Sequence, residues 1–176
     1  MTPRISGDNA SSGASTRANG ASRELGKLLQ LLVDNAQTPG ARTTLRLDLA
    51  ALQEERFQSP SDAIDTLRAI LDEDESNEKA VLALSQIYEK TSRDEDLAEL
   101  LSSQIGRARD RGESAAELLL TVRLGEVYEG RLKDTTRALE TYEAVLEREA
   151  THRGALEAVA RLAEGRGAWE RAALDL

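Results

Sequence analysis

The chain of 176 residues contains no cysteine. That excludes disulfides, thiolate metal ligands, a lipid anchor on cysteine and a cysteine nucleophile, and it fits a reducing compartment. Aromatic residues make up only 3%, so a core has to be built from Leu, Ala, Val and Ile. There is a single histidine, His152, with no cysteine or second histidine to share a metal ion. It stands at the start of a predicted helix, where a polar residue needs no further explanation. Neither GxxxxGK[ST] nor GxGxxG occurs, so no phosphate cradle is written in the sequence. No run reaches the roughly eighteen apolar residues of a membrane span. No cofactor is expected.

The opening residues, "MTPRISGDNASSGASTRANGA", are small and polar and have no apolar core of a secretory signal. Residues 1–21 therefore read as a disordered polar tail, with 22–176 as the folded part. Cytoplasm is the expected location. Arg far outnumbers Lys and Ala is abundant, a composition that points to a GC-rich bacterial gene.

What the chain has in quantity is charge, 31% of residues, with 32 acidic against 23 basic side chains and a net charge of −9. This balance speaks against nucleic-acid binding, which depends on neutralising phosphates. It is compatible with a basic protein partner. Carboxylates are so frequent that no one pair marks a catalytic site. Arg107, Arg109 and Arg111 in "GRARDRG" sit near a predicted helix C-terminus, where cations complement the helix dipole.

Helical periodicity begins at "SRELGKLLQLLVDNA", where Leu25, Leu28, Leu29 and Leu32 recur at i, i+3, i+4 and i+7. Pro39 and Gly40 in "QTPG" are expected to end that helix. Further helices are expected at 42–57, 60–74, 77–91, 94–110, 114–131, 135–149, 152–165 and 168–176, with no period-two strand between them. Ser59, Ser76 and Asp134 are candidate N-caps, Ser59 with Asp62 three residues on.

The helices fall into pairs. "LAALQEERFQSPSDAIDTLRAIL" aligns without a gap on "LGEVYEGRLKDTTRALETYEAVL", 75 residues later. Alanine marks the second helix of each pair, at Ala63, Ala98, Ala138 and Ala173, at intervals of 35, 40 and 35. A small residue there lets the two helices approach closely. Periods of this length are the mark of a solenoid, in which each unit buries its apolar face against its neighbours. The repeats run at about 42–75, 76–112, 113–150 and 151–176.

"LGEVY" (Leu124, Gly125, Tyr128) and "RALETYEAVLE" (Ala138, Tyr142, Val145) resemble the two helix signatures of the tetratricopeptide repeat. "LSQIY" (Leu84, Ser85, Tyr88), "LAALQ" (Leu49, Ala50, Gln53) and "VARLA" (Val159, Ala160, Ala163) follow more loosely. The proline at the family's repeat end is missing, and each hairpin turn is about one residue longer. The resemblance implies an all-α, right-handed α-solenoid of antiparallel helical hairpins. The 35- and 40-residue units also approach the length of HAT-type relatives, which leaves an RNA-processing scaffold as an alternative. The last repeat stops inside its second helix, at Trp169, Leu174 and Leu176, so the chain is expected to be a piece of a longer protein.

The resemblance also implies a binding face. In this family the first helices line a groove with the positions two before, two after and five after the signature Leu. Those columns are Leu47, Leu82, Val122 and Glu157; then Ala51, Gln86, Glu126 and Arg161; then Glu54, Glu89, Glu129 and Glu164. The first suits an apolar grip on a peptide. The third is glutamate throughout, although a glutamate near a helix C-terminus opposes the macrodipole. An acidic ladder for a basic partner is one reading; a solvated helix end paired with Arg56 and Arg131 is the other. The Lys and Asn of the family's carboxylate clamp are absent, so no such clamp is expected. The expected function is a protein-binding scaffold without catalysis. The alternative is an accessory segment of an enzyme whose catalytic part lies beyond residue 176.

Overall fold

The computed structural model describes the backbone of residues 9–174 and the side chains of residues 20–165. It is all-α: α1 (Asn9–Asp34), α2 (Pro39–Glu55), α3 (Pro60–Glu73), α4 (Glu78–Lys90), α5 (Asp94–Asp110), α6 (Ser114–Val127), α7 (Thr135–Arg148) and α8 (Arg153–Leu174). A π-helical turn, Tyr128–Leu132, prolongs α6. No strand occurs among the described residues. The helices divide into two compact units, residues 1–87 and 88–176, with α4 passing from one to the other.

In the first unit α2 packs on both α1 and α3. Its buried residues are Leu49, Ala50, Ala63, Ile64, Leu67 and Ile70 of α2 and α3, Val33 of α1, and Ala80, Leu84 and Ile87 of α4. Arg42 and Arg46 of α2 both reach Glu73 of α3, at 3.3 and 2.8 Å, and Arg46 also donates to the Ala69 carbonyl. In the second unit α6 packs on both α5 and α7, and α7 on α8. Here the buried residues include Leu97, Ala98, Leu101, Leu124, Val127, Ala138, Tyr142, Val145, Ala155 and Ala158. The marker alanines Ala63, Ala98 and Ala138 are almost wholly buried, as close helix approach requires. The side chain of Ala173 lies outside the described residues.

Close approach is most acute at Gly125. A Cβ on this residue would stand 2.6 Å from Tyr142 Cε1, so α6 and the α7 ring meet where the glycine leaves room. The matching first-helix positions Ala50 and Ser85 are also small and buried.

The turns between paired helices share one device. Gln58, Ser92 and Lys133 each adopt the left-handed region, with φ of 50°, 54° and 56°. The N–H of the next residue then closes the preceding helix. Ser59 donates to the Gln53 carbonyl at 3.0 Å, Arg93 to Tyr88 at 2.9 Å and Asp134 to Tyr128 at 2.9 Å. The three acceptors are the residues four after Leu49, Leu84 and Leu124. The first and third of these bonds span six residues instead of five. That absorbs the extra turn residue, and in the third turn it is drawn out as the π-helical segment.

Several expectations are corrected. Pro39 opens α2 instead of ending α1, because proline at the first helical position gives up an N–H that has no helical partner. Thr38, passed over in the sequence, caps that helix by accepting from the Ala41 N–H. Ser59 precedes α3 but donates its hydroxyl to Asp62 and makes no side-chain cap bond. The cap of α4 is Asn77, which accepts from Ala80 N–H, while Ser76 bonds to Asp74. Asp134 caps α7 as expected. The helices expected at 152–165 and 168–176 are one, α8, because single glycines cost a helix only about 1 kcal/mol each and do not break it. The helix expected from Ser22 begins at Asn9. Its buried line is Gly26 and Val33 with the half-buried Leu29, whereas Leu25, Leu28, Leu31 and Leu32 are exposed. Trp169, Leu174 and Leu176 lie outside the described side chains.

Two substitutions test this geometry. Gly125→Ala gains helix propensity of about 0.8–1.0 kcal/mol but forces a methyl into the Tyr142 ring, which costs about 1–3 kcal/mol; a net fall in the urea midpoint is expected. Lys133→Gly relieves a left-handed conformation worth roughly 1–2 kcal/mol, less the greater entropy of glycine in the unfolded chain. Its midpoint is expected to rise.

Candidate interaction face

The first helices present the three expected columns on α2, α4, α6 and α8. In the first column Leu82 is 57% exposed and Leu47 is half-buried. Val122 is also half-buried, packed against the cluster of Ala138, Tyr142, Val145, Ala155 and Ala158. Glu157 is exposed and pairs with Arg153 along its own helix at 2.7 Å. The second column is exposed throughout, at Ala51, Gln86, Glu126 and Arg161. Helical spacing explains this: two residues after a buried signature position the side chain points well away from it.

The third column is where the structure adds most. Glu89 accepts from Arg123 at 2.7 Å. Glu129 Oε1 accepts from Arg161 Nε and Nη2 at 3.0 and 2.6 Å, while its Oε2 accepts from the Tyr142 hydroxyl at 3.1 Å. Glu54 is half-buried and engaged as well. Glu164 is exposed. The arginines come from the first helix of the following hairpin, 34 and 32 residues along the chain. Arg131, considered in the sequence as a neighbour for the glutamates, pairs instead with Asp94 at 3.0 Å and reaches the Glu89 carbonyl. An approaching cation therefore meets Glu89 and Glu129 already ion-paired, and Glu126 is the exposed carboxylate beside them.

These contacts shape the local electrostatics. Burial, with Glu129 and Glu126 adding to it, pushes the Tyr142 hydroxyl well above its usual range, so it remains a donor. The hydrogen bonds that Arg161 donates to Glu129 raise the Arg161 guanidinium above its ordinary value. The same ring fills the space left by Gly125, so one side chain serves both packing and the polar face.

Sequence reading passed over a second cluster. Glu117 of α6 is only 3% exposed and sits between two arginines, with Arg109 Nε at 2.7 Å and Arg148 Nη1 at 2.5 Å. Burial pushes its pKa up, but the two guanidiniums outweigh that and hold it below the usual carboxylate range. Arg109 is thus a partner of a buried carboxylate as well as a cation at the end of α5, and Arg111 pairs with Glu113 at 3.4 Å. His152 accepts from the Ala155 N–H through Nδ1 and opens α8 as a cap, in line with its expected place at a helix start. Among the described residues no three of His, Cys, Asp and Glu gather in a metal-binding group, and no helix is long and apolar enough to cross a membrane.

By its own geometry the chain is an all-α protein of antiparallel helical hairpins. No family model and no curated protein matches its sequence. Two solved structures are similar to it. One, described as the crystal structure of MamA, is 17% identical with a TM-score of 0.49, covering 95% of this chain and 87% of that one. Another, described as the crystal structure of MamA protein, is 18% identical with the same score, covering 92% and 82%. At that identity and score the likeness assigns no function.

Acid should expose the ion pairs. Arg46 and Arg42 lower Glu73, Arg137 lowers Glu95, the two arginines lower Glu117, and bonds from Arg137 lower Asp134. A carboxylate lowered by folding contributes stability above its ordinary value, 4.5 for Glu, and that contribution is lost as pH falls through the folded value. The urea midpoint is expected to be level from neutral pH to above 4.5 and to drop below it. Glu73→Gln/Glu95→Gln/Glu117→Gln should start lower at neutral pH and show a flatter acid fall.

Proposed function

We propose that the chain is a protein-interaction scaffold that holds a partner protein or peptide along the face of its first helices, without catalysis of its own. The observation that supports this best is the exposure of Leu82 beside an exposed second column. A large apolar side chain left in water next to polar neighbours is an anchor point for a partner side chain. In the first unit that face offers Leu47, Ala51, Leu82 and Gln86, with Glu54 at its edge. In the second it offers Glu126 and Arg161, with Val122, Glu89, Glu129 and Glu164 around them.

On this reading Leu82 of the first unit takes an apolar side chain, and Glu126 of the second unit, on its own, a basic one. Glu89 and Glu129 act by orienting Arg123 and Arg161, so selection for a cation falls on Glu126. Nucleic acid is disfavoured by the net charge of −9. The proposed setting is the cytoplasm of a bacterial cell, in accord with the composition and the absence of cysteine.

The test is a pull-down from a lysate of the source organism with wild type and Leu82→Ser/Gln86→Ala/Glu126→Lys as baits. These three residues are exposed, so the variant should keep its helical circular dichroism. A partner retained by wild type and lost by the folded variant is expected. Equal capture by both would remove this face from consideration.

A further inference from the structure

A second surface, between the second helices α5 and α7 with α6 beneath, carries its own chemistry. Within the second unit α5 and α7 both pack on α6, and they leave between them a cavity of about 290 Å³. Its floor and walls are Ile105, Leu118, Leu124 and Val145. Ser102 also lines a neighbouring cavity that reaches Glu99, so the two follow one another along α5 as a trough with Ser102 between them.

The trough is dipolar. Arg109 and Arg148 stand at the end where α5 and α7 finish, and Glu99 and Glu140 lie towards the end where the two helices begin. The two arginines share one buried carboxylate, Glu117, which leaves an excess positive charge. Arg109 uses Nε and Arg148 uses Nη1 for those bonds, so each keeps guanidinium N–H groups for another acceptor. Glu99 and Glu140 are exposed and form no ion pair among the described residues.

The walls also limit what can bind. The hydroxyls of Ser102, Thr121 and Thr141 donate back to Ala98, Glu117 and Arg137 carbonyls of their own helices at 2.7–2.8 Å. Backbone groups within α5 and α7 are occupied by helical bonds. An extended peptide would find no partners for its own N–H and C=O groups, whereas a helix satisfies them internally.

The geometry points to a docking site for one amphipathic helix of a partner protein, lying antiparallel to α5 and α7. Its acidic first turn faces Arg109 and Arg148, its leucine-type side chains fill the apolar trough, and its basic last turn faces Glu99 and Glu140. Glu99 to Arg109 is ten residues and Glu140 to Arg148 is eight. At a rise of 1.5 Å per residue, the ligand's opposite charges stand about 12–15 Å apart. An acidic first turn and a basic last turn are also what the ligand's own helix dipole favours. This surface is separate from the first-helix face and does not depend on it.

The experiment is calorimetric titration of the full chain with two end-blocked, alanine-based helical peptides of about 16 residues. One has glutamates in its first turn, leucines at i, i+3, i+4 and i+7, and lysines in its last turn. The other has the charges exchanged. Wild type is expected to bind the first at least about tenfold more tightly. Glu99→Lys/Glu140→Lys, at exposed positions that leave the fold intact, should lose that preference. Equal affinity for both peptides, or no binding of either, would overturn the proposal. So would concentration-dependent self-association that Leu28→Glu abolishes and the first peptide competes away, since the trough would then hold α1 of a second copy.

Discussion

The distance between the two helices of a hairpin governs the rest of this structure. Where Gly125 faces Tyr142 there is no room for a single methyl group. Ala138, one turn before Tyr142 on the same helix, is fully buried. Helices brought that near can be joined only by a tight reversal, and the chain makes it with a left-handed residue three times, at Gln58, Ser92 and Lys133. The reversal fixes where the first helix ends. It therefore fixes which residues of that helix remain at the surface, Gln86 and Glu126 among them.

Ion pairs add direction to this packing. Glu89 to Arg123, Glu129 to Arg161, Asp94 to Arg131 and Glu95 to Arg137 each join residues 32–42 apart, about one repeat. All four are at least partly exposed, and such pairs add little to stability in water. Their larger effect is on what a partner meets. They remove Glu89 and Glu129 from the stock of free carboxylates and leave Glu126, Glu99 and Glu140 outside any ion pair among the described residues. The aromatic faces are treated likewise, with the Arg137 guanidinium 4.6 Å above the Tyr128 ring.

Much of the architecture was legible in the sequence. The alanine spacing gave the hairpins because a small residue is needed wherever two helices touch, and the signature Leu gave the exposed second column because helical geometry is local. What escaped was non-local. The partners of the glutamate column lie a full repeat away; Arg161 stood in the second column and Arg123 in none, so the columns did not show the two as partners of the glutamates. Glu117 looked like any other surface carboxylate until Arg109 and Arg148 closed over it from two helices. The leucines of α1 show a limit of another kind. Their spacing marks an apolar stripe wider than one neighbour covers, and periodicity alone could not tell that Gly26 and Val33 would face α2 and Leu28 the solvent. At α8 the two glycines near 165 read as a break, yet helix propensity on either side outweighs them.

The register of the two helices in the third hairpin, with Gly125 of α6 beneath the ring of Tyr142, underlies the face that the first helices present. Proton NMR measures it directly. Cross-relaxation is expected between the Gly125 Hα protons and the Tyr142 ring, with those Hα resonances moved upfield by the ring current. Gly125 Hα resonances at ordinary shifts, without contact to that ring, would contradict it.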